Sequence, residues 1–181
     1  MPTIAEHKLS PEEFHARYDR EKPYYEYWAG EAVQKAMPTV LHSILQAVLT
    51  ALFRRLGFKS GPEIRLKLDP EYEPVPDVIA IEGVWPSLAY PTEPFEIVVE
   101  ILSPDDSFSR ILRKCRLYEK WGIRRILVVD PEERIIYALE GGDLRRSDLI
   151  AERAGERITA EQLWKAVDAE LSAAPPAESN Q

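Results

Sequence analysis

Residues 94–108, PFEIVVEILSPDDSF, carry an almost unbroken apolar run from Ile97 to Leu102 with a single carboxylate, Glu100, inside it. Such a run is expected to be a strand, and the strand has to be buried. A charged carboxylate there is costly unless it is paired, hydrogen-bonded or bound to a metal, so Glu100 demands a partner. Taken alone, the strand is satisfied by a structural pair, either an arginine or the amides that open the following helix.

The elements around this strand follow from spacing. Ser10-Pro11-Glu12-Glu13 has the form of a capping box with proline at the first helical position, predicting a short helix to about Tyr18. Tyr24–Trp28 and Glu31–Lys35 flank Ala29-Gly30 as a hairpin. Thr39 caps a helix in which Leu41, Ile44, Leu45, Val48, Leu49, Leu52, Phe53 and Leu56 keep helical spacing, and Gly57 closes it. Ile64, Leu66 and Leu68 alternate with charged residues, the pattern of a half-exposed strand. A proline-rich loop then leads into Asp77–Ile81. Ser107–Trp121 reads as a helix ended by Gly122, followed by strands Arg124–Asp130 and Arg134–Leu139 around a turn at Pro131-Glu132-Glu133. Thr159 and Gln162 form the capping box of a last helix.

This order predicts an α/β or α+β fold, a mixed sheet with helices on its faces. A chain of 181 residues, 45% hydrophobic, suffices for one domain with a core and is short for two. One domain over residues 1–172 is expected, with a disordered tail at 173–181. No run of about 18 apolar residues and no secretory pattern occurs, so no membrane association and a cytoplasmic location are expected. The single cysteine, Cys115, and the scattered histidines exclude an internal disulfide and argue against a structural zinc site. A net charge of −8 argues against coating nucleic acid by charge alone, while leaving room for a local basic surface or an acidic site offset by metal.

Asp77 supplies Glu100 with a neighbour. If its strand pairs antiparallel with residues 95–102, the start of one meets the end of the other and the two carboxylates lie side by side. Like charges so placed repel, and a hard divalent ion with oxygen ligands removes the conflict. By itself, Asp77 after proline reads equally as a turn residue. On the following helix, at about 100° per residue, Phe108, Ile111, Cys115, Tyr118 and Trp121 share a broad face that includes Lys114. Lys114 therefore points to the core side, either snorkelling along apolar surface or meeting the acids. Between residues 110 and 125, seven basic residues accompany one acid, Glu119. That patch suits phosphate binding, or equally helix C-terminal charge placement and solubility.

PDVIAIEG, PFEIVVEILSP and KCRLYEKWGIRRILVVDP, with YYEYWAGE and His42 upstream, resemble the Uma family of putative restriction endonucleases, a branch of the PD-(D/E)XK nuclease fold. The resemblance covers roughly residues 24–140. The parent pattern has a lysine two residues after the second acid, where this chain has Leu102. The family places it on the next helix, four residues before a tyrosine, as Lys114 and Tyr118 are placed. The resemblance implies a restriction endonuclease-like fold with a central mixed β-sheet flanked by helices. It implies Asp77, Glu100 and the backbone carbonyl of Ile101 as ligands of Mg²⁺, with Mn²⁺ as a substitute, and Lys114 as the catalytic lysine. Glu31, in the family's glycine-glutamate motif, His42 and Tyr118 are accessory candidates. His42 alone reads equally as a hydrogen-bonded histidine bordering the core. The sequence departs from the family at Arg110, where an acid is usual, which removes a partner for Lys114 or alters substrate contacts.

The expected activity is metal-dependent endonucleolytic hydrolysis of DNA, with Arg110, Arg113 and Arg116 toward DNA; the resemblance further implies a 5′-phosphate product and a homodimer as the working unit. Two alternatives stand beside it: a catalytically inactive nuclease-fold binding or scaffolding protein, and a hydrolase of another phosphate-containing substrate.

Overall fold

A computed structural model describes residues 8–87, 89–104 and 106–172. The expected tail at 173–181 lies outside the described residues. In chain order the elements are α1 (Pro11–Tyr18), β1 (Tyr25–Trp28), β2 (Glu31–Gln34), α2 (Val40–Arg55), β3 (Lys59–Pro62), β4 (Tyr72–Glu73), β5 (Val78–Ile81) and β6 (Ile97–Ile101). They continue with α3 (Phe108–Lys120), β7 (Arg125–Asp130), β8 (Ile135–Glu140), β9 (Asp143–Arg146), β10 (Leu149–Arg153), β11 (Glu156–Thr159) and α4 (Ala160–Ser172).

Local chemistry sets the helix ends. Ser10 accepts from the Glu13 amide while the Glu13 carboxylate accepts from the Ser10 amide, closing the capping box of α1. Thr39 and Ser107 cap α2 and α3 through their hydroxyls, and Thr159 and Gln162 bond reciprocally at α4. Gly57 and Gly122, just past α2 and α3, have φ of +89° and +83°, a conformation that would strain any side chain.

The central sheet has the order β3-β5-β6-β7-β8-β9. All neighbours are antiparallel except β6 and β7, which run parallel and are joined across the sheet by α3. The central strands β5 and β6 are buried at every position, and helices cover both faces. On one side, Leu45, Leu49 and Phe53 of α2 and Leu163 and Val167 of α4 pack with Val99, Ile101 and Leu127. On the other, Ile111, Cys115 and Tyr118 of α3 pack with Ile79, Val98, Ile126 and Val128. This mixed sheet between helices is the α+β architecture expected from the sequence.

A separate three-stranded sheet, β2-β1-β4, adds β4 to the expected hairpin, and β10-β11 form a second hairpin. The turn pairs Gly141-Gly142 and Ala154-Gly155 lead into β9 and β11; none of β9, β10 and β11 was expected from the sequence.

The half-exposed strand expected at Ile64–Leu68 is not formed; the strand lies earlier, at Lys59–Pro62. Glu63 takes φ +50°, which ends it, and the Leu66 and Lys67 amides bond to the Pro74 and Pro91 carbonyls of loops. The consecutive residues Arg65 and Leu66 are both buried, which no half-exposed strand allows. Phe108, expected on the inner face of α3, is 56% exposed because it opens the first turn, before the helix reaches the sheet. No helix among the described residues is long and apolar enough to cross a membrane.

Candidate active site

The β5–β6 register pairs Val78 with Val99 and Ile79 with Val98, so one further step sets Asp77 opposite Glu100 at the end of the two central strands. Both carboxylates are 3% exposed. Asp77 Oδ2 accepts from the Ile101 amide at 2.6 Å, and Oδ1 accepts from Lys35 Nζ at 2.7 Å and from His42 Nε2 at 3.2 Å. With Nε2 donating to the carboxylate, the buried His42 Nδ1 has no partner among the described residues.

Glu100 lies on the α3 face with Val98, and α3 delivers two donors to it. Tyr118 donates its hydroxyl to Oε1 at 2.6 Å, and Lys114 Nζ donates to Oε2 at 2.9 Å. The four-residue spacing stacks these donors on one helix face. Lys114 also reaches Glu26 Oε1 of β1 at 2.7 Å. Glu26 is fixed in turn by the Val75 amide on Oε1 and the Trp28 indole on Oε2.

Three buried carboxylates, Glu26, Asp77 and Glu100, thus meet two lysines, Lys35 and Lys114. Burial works to raise the pKa of Asp77, but Lys35 and His42 overcome it and hold the carboxyl well below its ordinary range. Burial likewise opposes ionisation of Glu26, and Lys114 and Lys35 reverse that. Glu100 differs: burial outweighs Lys114, the neighbouring Asp77 charge adds to it, and the pKa rises to about 7. Glu100 is therefore the acid of the cluster most easily neutralised, and the one most in need of another cation to stay ionised. Burial disfavours the Lys114 ammonium, yet Glu100 and Glu26 raise its pKa well above the ordinary lysine range. Burial and then Glu100 raise the Tyr118 phenol.

The cluster opens into a cavity of about 280 Å³ lined in part by Lys35, His42, Asp77, Glu100, Arg110 and Lys114. The family model described as "Putative restriction endonuclease", Uma2, matches residues 11–172. The chain belongs to the Uma2 family.

Among solved structures, this Uma2 chain is similar to a putative nuclease of DUF820 from Anabaena variabilis, with 20% identity, a TM-score of 0.71, and coverage of 88% of this chain and 99% of the other. That likeness establishes the fold. A weaker match is the cryo-electron microscopy structure of the DrdV–DNA complex, with 16% identity and a TM-score of 0.37, over 72% of this chain and 11% of that one. No curated protein matches.

The Uma2 chain brings Asp77, Glu100, Ile101, Lys114, Tyr118 and His42 into one cluster. Leu102, two residues beyond Glu100 on the same face, packs against the apolar cluster beneath α3. Arg110 lines the cavity, Arg113 lies 5.6 Å from the Trp28 ring centroid, and Arg116 bonds to the Gly142 carbonyl and Asp143. Glu31 is exposed at the β1–β2 turn, paired in register with Trp28, and does not line the cavity. Glu26 and Lys35 were not singled out from the sequence. Glu26 carried the signal that exposed Glu100, one acid within an otherwise aromatic strand, YEYW. Lys35 stands just past β2 and carried no such signal.

Among the described residues no three His, Cys, Asp or Glu side chains gather as a ready cation cage. The facing carboxylates of Asp77 and Glu100 nevertheless suit a hard ion such as Mg²⁺, which is commonly bound by one or two carboxylates and keeps several waters. Glu26, engaged by Lys114, the Val75 amide and the Trp28 indole, stands outside that pair, and the two carboxylates fit an ion that keeps most of its waters.

Proposed function

We propose that the protein is a metal-dependent endonuclease that hydrolyses phosphodiester bonds in DNA, working in the cytoplasm as a homodimer. The observation that carries this reading is the meeting of Lys114 with Glu100, opposite Asp77, at the mouth of a cavity that also receives Arg110. The family description supports DNA as substrate.

Asp77 and Glu100, with the Ile101 carbonyl, would hold the divalent ion. When bound, Mg²⁺ supplies Lewis-acid polarisation and lowers the pKa of a water. The protein's own groups do the rest. Lys35, His42 and the Ile101 amide fix the Asp77 carboxylate, and Tyr118 fixes Glu100. Lys114, held between Glu100 and Glu26, orients the attacking water and offsets charge developing on the phosphate oxygens. Arg110 meets the incoming phosphate from the cavity wall, with Arg113 and Arg116 further along the same helix.

Nicking of supercoiled plasmid with Mg²⁺ tests the assignment. Asp77→Asn and Glu100→Gln are expected to abolish cleavage while keeping the wild-type circular dichroism spectrum, and equal cleavage by all three proteins sinks it. The alternative, a nuclease-fold protein without chemistry, is favoured by one observation: every oxygen of Asp77 and Glu100 already accepts a protein donor. Absence of both Mn²⁺ uptake and cleavage across DNA, RNA and nucleotide substrates decides for it.

A further inference from the structure

Resting on the metal-site reading above, we infer that Lys35 is a resident counter-ion that occupies the Asp77 carboxylate when no metal is bound and competes with the ion for it. Lys35 Nζ stands 2.7 Å from Asp77 Oδ1, the oxygen that also receives His42, while Oδ2 is held by the Ile101 amide. No Asp77 oxygen is left without a donor. The ammonium is anchored on its other side by the Val75 carbonyl at 2.7 Å, and the Lys35 amide donates to the Tyr24 carbonyl at 2.9 Å. The side chain is 14% exposed and lines the cavity, so it lies in the acidic cluster rather than along the surface.

The charges define what Lys35 does. With all three ionised, Glu26, Asp77 and Glu100 sum to −3, and Lys35 with Lys114 return +2. Lys114 is clamped between two carboxylates, with Glu26 at 2.7 Å and Glu100 at 2.9 Å. Among the described residues Lys35 has a single carboxylate partner within ion-pair distance, Asp77, so its departure breaks one ion pair where that of Lys114 breaks two. An ion arriving at Asp77 meets a positive charge already on its ligand oxygen. Its apparent association constant is the intrinsic one multiplied by the fraction of molecules in which Lys35 has withdrawn. With Glu100 ionised, removing the Lys35 charge takes the cluster from −1 to −2, a balance matched to a divalent cation.

Calorimetric titration of the full-length protein with Mn²⁺ alone tests this, using Lys35→Met, which fills the same volume, and Lys35→Gln, which keeps a hydrogen-bond donor without the charge. Both variants are expected to bind Mn²⁺ more tightly than wild type, by about tenfold or more. Lys35→Arg is expected to bind like wild type. Thermal melting gives a second reading: the apo variants melt lower because Asp77 has lost its cation, and Mn²⁺ raises their melting temperature by more than it raises wild type. Unchanged or weaker binding in Met and Gln variants, with wild type still binding, overturns the inference and leaves the metal site standing. Tight binding that survives Asp77→Asn in the Lys35→Met background overturns it as well, because the ion then sits elsewhere. If wild type and variants all fail to bind Mn²⁺, the metal-site reading falls and the inference with it.

Discussion

Lys114 and Glu26 meet at 2.7 Å, joining the helix that follows the acidic strand to a hairpin nearly ninety positions earlier in the chain. The sequence resemblance implies an acid at the Arg110 position, one turn before the lysine on its own helix; in this chain Lys114 takes its second carboxylate, Glu26, from a different sheet.

Removing this cation leaves Glu26 and Glu100 buried without their shared partner. Lys114→Met is expected to lower stability by about 3–5 kcal/mol, the cost of breaking a buried pair from one side. Glu26→Gln is expected to cost less, since Lys114 keeps Glu100. Urea unfolding of both variants checks the order.

Tyr118→Phe deletes the hydroxyl on Glu100 Oε1 and nothing else. A loss of about 1–3 kcal/mol is expected for an unsatisfied buried acceptor. Plasmid nicking should fall in parallel, because Glu100 is then held by Lys114 alone. Full activity together with unchanged stability would show that the 2.6 Å contact is unimportant.

Two of the helix arginines, Arg110 and Arg116, should separate in DNA binding. Arg110 faces the cavity, whereas Arg116 is engaged by Gly142 and Asp143. Arg110→Ala is expected to weaken affinity and reduce the salt slope by about 1, and Arg116→Ala to do markedly less. Fluorescence anisotropy with duplex DNA at several salt concentrations measures both, with Ca²⁺ present to suppress cleavage.

Burial, and secondarily Glu100, push the Cys115 thiol from an ordinary 9.0 up to about 12. The folded protein therefore keeps this proton at pH values where an exposed or unfolded thiol has lost it. Iodoacetamide near pH 9 should leave the native protein unmodified and label one site after denaturation. Above that pH the unfolded chain releases a proton that the folded chain retains, so this group's contribution to stability falls as pH rises from 9.0 toward 12.

The central acids were legible because burial makes them conspicuous: a carboxylate between valine and isoleucine has few explanations. The helical phase that turns Lys114 and Tyr118 inward is a local periodicity and could be read as such, whereas the antiparallel pairing that joins Asp77 to Glu100 is a contact between separate strands and entered the sequence reading only as a condition. Glu26 and Lys35 depend on where a separate three-stranded sheet docks, which no periodicity within either strand encodes. The Ile64–Leu68 misreading has a similar source. Its alternation was genuine, but Glu63 at φ +50° had already ended the ladder, and loops supplied the backbone partners. Glu31 was placed by motif alone, and the turn it occupies carries it away from the cavity.

Lys114 and Tyr118 grip the two oxygens of one carboxylate from positions one helical turn apart. This makes α3 intolerant of changes in length between them. A residue inserted at 115–117 would rotate the downstream donor by about 100° around the helix axis and leave only one of the two on Glu100. Insertions in the connection that precedes Ser107 would shift both donors together, and helix docking could absorb them. Among relatives that retain this arrangement, gaps should gather before the helix cap and stay out of the four residues that follow the lysine.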